Sequence, residues 1–238
     1  MNDLVSAVVL VSNDEYWLPY ALEASRGFFN RYVIYDIGST DKTLDIINWF
    51  VDSQKGKSSF YVENFPMLDP KIQGKFRNSM IAEALSEYYF ILDGDEVYTP
   101  DSYKAILSAA ESMNITRQHL YGVVRRIEID GDSAYGLDSN IPHHRLYHQK
   151  AIWTGKHPGE IPFFKQEPSV EYKIPNAVCF HFHNCTRSSK DAEVPKRIER
   201  RSRGTYRPGE KKKFDVIKAL PILSGPIQNF ARSPSIEW

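Results

Sequence analysis

Cysteine is almost missing from this chain. Only Cys179 and Cys185 occur in 238 residues, too few for a disulfide framework or a structural zinc cluster. Reduced thiols and a cytoplasmic location are therefore expected. No apolar run approaches the ~20 residues that a membrane span needs. The start, Met1-Asn2-Asp3-Leu4, lacks the basic region and cleavage site of a secretory signal. Any association with the inner face of a membrane would then be peripheral. Internal repeats and low-complexity segments are also missing, which excludes solenoids and arrays. Net charge is zero, with 30 basic and 30 acidic side chains.

That zero hides an asymmetry. Residues 1–185 carry 17 Lys and Arg against 24 Asp and Glu, while 186–238 carry 13 against 6. A basic segment beside an acidic body can meet phosphate, an anionic surface or nucleic acid, or dock onto the body itself. Hydrophobic residues at 42% and charged ones at 25% are ordinary for a globular protein. The length suits one large α/β domain, or a domain with a small appendage.

The chain is organised around Tyr88-Tyr89-Phe90-Ile91-Leu92-Asp93-Gly94-Asp95-Glu96-Val97. A continuous apolar run of this length reads as a strand buried on both faces of an α/β sheet. Ligands bind beyond the carboxyl ends of such strands. Gly94 allows a bend that converges Asp93 and Asp95, and two hard oxygen ligands suit Mg2+ or Mn2+. The plainer alternative is an acidic turn after a core strand.

Upstream, Ser6–Val11 reads as a first strand ending at the N-cap cluster Ser12-Asn13-Asp14-Glu15, before a helix over 16–26 with Pro19 in its first turn. Strand 31–36 closes on Asp36. The loop Gly38-Ser39-Thr40-Asp41-Lys42-Thr43 leads into helix 44–51, with Ser39, Thr40 or Asp41 as its cap. Strand 60–63 and helix 75–85 complete a βαβ alternation, which implies a mostly parallel sheet. Beyond Pro100 the spacing predicts a helix over 101–112, a strand over 120–129 and a turn at Asp130-Gly131-Asp132. Residues 133–176 show no sustained period and read as a functional loop system. Strand 177–183 places Cys179, His181 and His183 on one face. A basic helix over 195–203 and a loosely held tail beyond Pro208 close the chain.

These residues resemble family 2 glycosyltransferases with the GT-A fold. The likeness is carried by the opening strand with Asn13-Asp14-Glu15, the strand end at Asp36, Gly38 to Thr43, Arg77-Asn78 and Asp93-Gly94-Asp95-Glu96, in that order. It covers about residues 5–100. Arg145-Leu146-Tyr147, Trp153-Thr154-Gly155-Lys156-His157 and the His181 strand followed by Lys196 and Arg200 resemble the second half of a bacterial subgroup that builds surface polysaccharide and lipopolysaccharide core. The resemblance implies a metal-dependent, inverting transferase using a nucleoside-diphosphate sugar, with UDP as the expected nucleotide. The acceptor would be a saccharide, lipid-linked or other hydroxyl, and a phosphorylated acceptor or anionic surface would suit the basic helix. Residues 1–100 would form the nucleotide-sugar half, 101–185 the acceptor-side and catalytic half, and 186–238 the basic helix and tail.

The family assigns nucleotide contacts to the positions of Asp36 and Asp41, and the divalent ion to those of Asp93 and Asp95. Asn13 and Glu15 lie at the same strand ends and join the nucleotide-binding set. Asp95 is the expected direct ligand, with Asp93 on ribose or on the metal through water. Asp36 and Asp41 can equally cap helices. Arg77 is either a diphosphate or sugar contact or a surface ion pair. His181 or His183 could complete the metal site, since imidazole suits Mn2+ better than Mg2+.

The general base is open. The subgroup's His-Glu step is replaced here by His157-Pro158-Gly159-Glu160, leaving Glu160, His157 and Asp138 as candidates. Asp130 and Asp132 read as turn formers. Trp153, Tyr147 and Phe163-Phe164 would form either an acceptor-stacking platform or a local core. Two other functions compete with this one. A sugar-nucleotide nucleotidyltransferase wants a basic, glycine-rich loop after the first strand, where this chain is acidic. A nucleic-acid binder would rely on the Lys196–Arg203 charges alone, without a recognised motif.

Overall fold

The computed structural model describes residues 3–66, 72–117, 119–129, 135–154, 161–163, 170–193, 212–213, 216–227 and 230. Strand β1 (Val5–Val11) is buried along its whole length. Its side chains alternate between two cores, which is why both faces of the run are apolar. Val5, Ala7, Val9 and Val11 meet helices α1 (Leu18–Ser25), α2 (Thr43–Ser53) and α4 (Pro100–Thr116). Val8 and Leu10 face the opposite layer, where Met80 and Ala84 of α3 (Gln73–Ala84) pack. The result is a sheet with helices on both faces.

Strands β2 (Arg31–Ile37), β3 (Ser59–Phe65) and β4 (Tyr88–Ile91) are parallel to β1 in the order β3-β2-β1-β4. Beyond β4 the sheet becomes mixed. It continues through β7 (Tyr135–His148), β6 (His119–Ile129), β10 (Val170–His181) and the short β5 (Glu96–Tyr98). Strands β8 (Ile152–Thr154) and β9 (Ile161–Phe163) form a separate pair, and β11 (Lys212–Lys213) adds to β7. Chain order reverses direction at β1, between β2 and β4. In open α/β sheets that reversal opens a crevice beyond the strand ends.

Several sequence expectations are corrected here. The stretch 133–176 is not a loop system throughout: it contains β7, β8, β9 and the first half of β10. Register shifts at Gly122/Val123, Val124/Arg126 and Lys173/Val178 break the two-residue period that would have revealed the pairing. Ser12–Glu15 do not cap α1, whose N-cap is Trp17 without a side-chain hydrogen bond. The tail past Pro208 is not loose where it is described. Val216, Leu220 and Leu223 are buried against Trp17, Tyr20, Ile127 and Phe180, a 4- then 3-residue spacing that forms one apolar stripe. Strand β10 ends at His181, with His183 in the following turn. Tyr147 and Trp153 are core residues, the indole donating to Tyr89 Oη at 2.8 Å, and offer no exposed platform.

The basic stretch 195–203, with Lys196 and Arg200, lies outside the described residues, as do Asp130, Asp132, His157, Glu160 and Phe164. No helix among the described residues is long and apolar enough to cross a membrane. Both cysteines are buried thiols, and neither is part of a disulfide.

Candidate active site

Three loops meet at the carboxyl ends of β1, β2 and β4, because the parallel register puts Val11 beside Asp36 and Val8 beside Ile91. The loop after β1 is tied to the one after β2 by reciprocal bonds. Asn13 N–H donates to Ser39 Oγ and Thr40 N–H to Asn13 Oδ1, both at 2.8 Å. Asp14 N–H donates to Thr43 Oγ1 at 2.8 Å. Asn13 carries a positive φ of 53°, a conformation Asn tolerates better than most residues. Glu15 and Asp41 then clamp the segment after β10: Ser189 N–H donates to Glu15 at 2.6 Å, and Ser188 Oγ donates to Asp41. Asp41 also accepts from Thr43 N–H at the start of α2, at 2.9 Å. In this structure Asn13, Glu15 and Asp41 therefore lace loops together.

The turn after β4 is built against this floor. A Cβ on Gly94 would stand 2.9 Å from Asp14 Cβ and 3.0 Å from its carboxyl group, so only glycine fits without displacement. Gly94→Ala should cost about 1–3 kcal/mol by overpacking and loosen Asp14, which urea unfolding of the two proteins would measure.

Asp95 and Asp93 leave the turn in different directions. Asp95 is buried, and its Oδ2 lies 3.6 Å from His181 Nε2 and 3.8 Å from His183 Nδ1. Arg187 reaches the same oxygen at 2.9 Å through Nη1, while its Nε and Nη2 hold Asp14 at 2.6 Å. Despite this company, Oδ2 accepts no well-aligned hydrogen bond among the described residues. Burial would raise the Asp95 pKa, but Arg187 and His181 outweigh it and hold the carboxyl well below its usual range. Burial likewise pushes His181 down, yet Asp95 and Glu128 prevail and bring its pKa up to about 10. The ligand atoms of Asp95, His181 and His183 all lie within 4.8 Å of one another. Two ligands each about 2.1 Å from one ion stand roughly 3–3.5 Å apart, so this donor set fits a divalent cation after a small contraction.

Asp93 faces arginines instead. Arg145 Nη2 donates to it at 2.9 Å, and Arg77 Nη2 stands 3.7 Å away. Arg145 also makes a bidentate contact with the fully buried Glu96, which further accepts from His143 Nε2 at 2.6 Å and Tyr98 Oη at 2.9 Å. Arg145 is the counter-ion there. Burial and the adjacent guanidinium depress His143 to about 3, so its imidazole is neutral. Glu96, His143 and Cys179 form a second compact group, but Glu96 is already saturated by these donors. Arg77 is buried with its guanidinium 5.1 Å from the Trp153 ring centroid, and its Nε and Nη1 have no hydrogen-bond partner among the described residues. Asp36 has one such oxygen, Oδ2. The other accepts from Ser39, and burial pushes the carboxyl above its ordinary range.

The fold thus brings Asn13, Glu15, Asp36, Asp41, Arg77, Asp93, Asp95, His181 and His183 together about the carboxyl ends of β1, β2 and β4. Asp138 sits on β7 opposite Ile127; its side chain lies outside the described residues. Sequence reasoning passed over Asp14, Glu128, His143 and Arg187. Asp14 lay inside a quoted motif between two chosen residues. Arg187 had no signal, being isolated in a polar turn and paired with a residue 173 positions away.

No protein-family model matches the chain, and no curated protein does. Among solved structures, the mannosyltransferase PcManGT from Pyrobaculum calidifontis, in complex with GDP-Man and Mn2+, is similar over 93% of this chain and 68% of its own. Its TM-score is 0.51 and its identity 11%. S. aureus TarS 1–349 in complex with UDP is similar over 61% of this chain and 46% of its own, with a TM-score of 0.47 and 16% identity. The same protein with UDP-GlcNAc gives 61%, 45%, 0.45 and 15%. The chain spans about half the length of the TarS structures it matches. At such identities the likeness speaks to fold alone, and the PcManGT match extends over nearly the whole chain. The chain has the GT-A fold.

Proposed function

We propose that this chain is a metal-dependent inverting glycosyltransferase. It would move a sugar from a nucleoside-diphosphate sugar, with UDP as the first nucleotide to test, to a hydroxyl of a saccharide, lipid-linked or other acceptor. The observation that carries this reading is the buried Asp95 Oδ2, ringed by His181 and His183 without an aligned hydrogen bond. A protein of the same fold holds GDP-Man and Mn2+, and the same class of donor and ion is inferred here.

Asp95, His181 and His183 would hold Mn2+ or Mg2+. When bound, the cation acts as a Lewis acid that neutralises charge on a departing diphosphate. The chain's own residues do the rest. Arg77 offers two free N–H directions to an anion at the crevice wall, and burial strengthens that contact. Asp36 Oδ2 is an acceptor for a ribose hydroxyl or a base N–H. Asp93, held by Arg145, stands between these two regions and reaches ribose or a metal-bound water. Asn13, Glu15 and Asp41 keep the floor in place. The general base comes from Glu160, His157 or Asp138. The nucleotidyltransferase alternative gains nothing, since the loop after β1 turns Asp14 and Glu15 toward Arg187, Ser188 and Ser189 and presents no phosphate cradle.

The test is release of nucleoside diphosphate from a panel of UDP-, GDP- and dTDP-sugars, with Mn2+ and with chelator. Metal-dependent release from at least one donor is expected; release indifferent to chelator rejects the reading. In the same assay Arg77→Met should weaken diphosphate binding about 10- to 100-fold, the size of one or two charged hydrogen bonds. Its thermal stability should change little, because Asp93 keeps Arg145 and a buried guanidinium with two unsatisfied nitrogens has been removed.

A further inference from the structure

We infer that Glu128 is the positioning residue of the cation site: when a cation displaces the Nε2 proton of His181, Glu128 keeps the remaining proton on Nδ1 and so leaves Nε2 to coordinate beside Asp95. This rests on the metal reading above and adds a residue outside the ligand set.

The backbone enforces the pairing. Parallel strands β6 and β10 set Glu128 directly beside His181, and Glu128 Oε2 lies 2.9 Å from His181 Nδ1. A carboxylate only accepts, so Nδ1 must carry the proton and Nε2 is the nitrogen left to coordinate. That nitrogen points at Asp95 Oδ2, 3.6 Å away. Glu128 is held on its other side by an ion pair with Arg126, whose Nε stands 2.6 Å from Oε1 without an aligned hydrogen bond among the described residues, and its side chain is only 15% exposed. Arg126 Nη1 donates in turn to His143 Nδ1 at 3.3 Å, and the neutral His143 donates its single proton, on Nε2, to Glu96. A succession of ion pairs and hydrogen bonds therefore runs from Asp95 through His181, Glu128, Arg126, His143, Glu96 and Arg145 to Asp93. It joins both ends of the Asp93-Gly94-Asp95 turn beneath the crevice. Carboxylate partners of this kind orient ligating histidines and raise their basicity.

Glu128→Gln exposes the role by reversing the proton. Arg126 has only donors, so it takes the amide oxygen, and the amide N–H2 then faces Nδ1. The imidazole proton must move to Nε2, which can no longer ligate. Mn2+ titration of the full chain, followed by the electron paramagnetic resonance of free Mn2+, should show about 10- to 100-fold weaker binding. In a His181→Ala background the same change should add nothing. An equal loss in both backgrounds, or no loss in either, overturns the inference. Should Glu128→Gln not fold, imidazole 15N shifts of the wild-type chain loaded with Zn2+, a diamagnetic stand-in, decide the matter. Nδ1–H with Nε2 bound supports it, and the reverse tautomer refutes it. Mn2+ binding that depends on Asp95 and His181 but not on Glu128 removes this inference alone. A wild-type chain that binds no Mn2+ takes the metal reading down as well.

Discussion

Asparagine at position 95 should abolish Mn2+ binding and lower metal-dependent donor turnover by about 10²–10³-fold, the scale seen when one well-placed electrostatic contact is lost. The side chain is buried and ionised only because Arg187 and His181 stand against it. Asparagine keeps the shape and removes the charge, so the imidazoles of His181 and His183 lose the anion that would anchor a cation between them. The fold should survive. Arg187 retains Asp14, and His181 retains Glu128, so the stability loss should fall at or below the ~3–5 kcal/mol typical of a broken buried pair. Mn2+ titration, donor turnover and urea unfolding on one preparation separate these effects. Metal-dependent turnover that persists in Asp95→Asn would leave the site assignment without its central residue.

The second large effect is on pH. In the metal-free protein His181 titrates at about 10, well above an ordinary histidine. At neutral pH it is an imidazolium bridging two carboxylates, so a divalent cation must displace its proton. Affinity for Mn2+ should therefore rise about tenfold per pH unit between roughly pH 6.5 and 8.5. Each ion bound near neutrality should release about one proton, measurable by calorimetry in buffers of different ionisation heat. Affinity that stays flat across that range would mean that His181 is not a ligand.

Without metal, stability runs the other way. A folded pKa above the unfolded 6.5 contributes stability that is complete below pH ~6.5 and drains as pH climbs through about 10. The Asp95 and Glu128 carboxyls, whose pKa values are depressed, contribute above about pH 4–4.5 and lose it on acidification. Unfolding of the metal-free chain should thus be hardest between about pH 4.5 and 6.5, while metal affinity is still climbing above it.

The first half of the molecule was legible because its information is local. Strands β1, β2 and β4 are continuous apolar runs, each stopping at a polar or acidic residue on the same sheet edge. Helices α2, α3 and α4 lie within one to four residues of their expected bounds. Asp93 and Asp95 could be chosen from their place at a strand end, since parallel strands deliver their carboxyl ends to one edge of the sheet, and the resemblance added Asp36. Beyond Pro100 that logic fails. The strands pair antiparallel and through bulges, and a one-residue slip changes which face a side chain occupies. Nothing in the run Ser139 to His148 announces that Arg145 will meet Asp93 and Glu96, or that His143 will be neutral.

By itself, the sequence determined the parallel βαβ half of the α/β sheet and the acidic residues at its strand ends, because each follows from a short run of chain. Only tertiary structure decided that Asp95 turns to two histidines while Asp93 turns to two arginines, and that Glu128, Arg126 and His143 connect them. Those contacts join residues brought together by strand register across the sheet, and register is set by the packing of the whole chain.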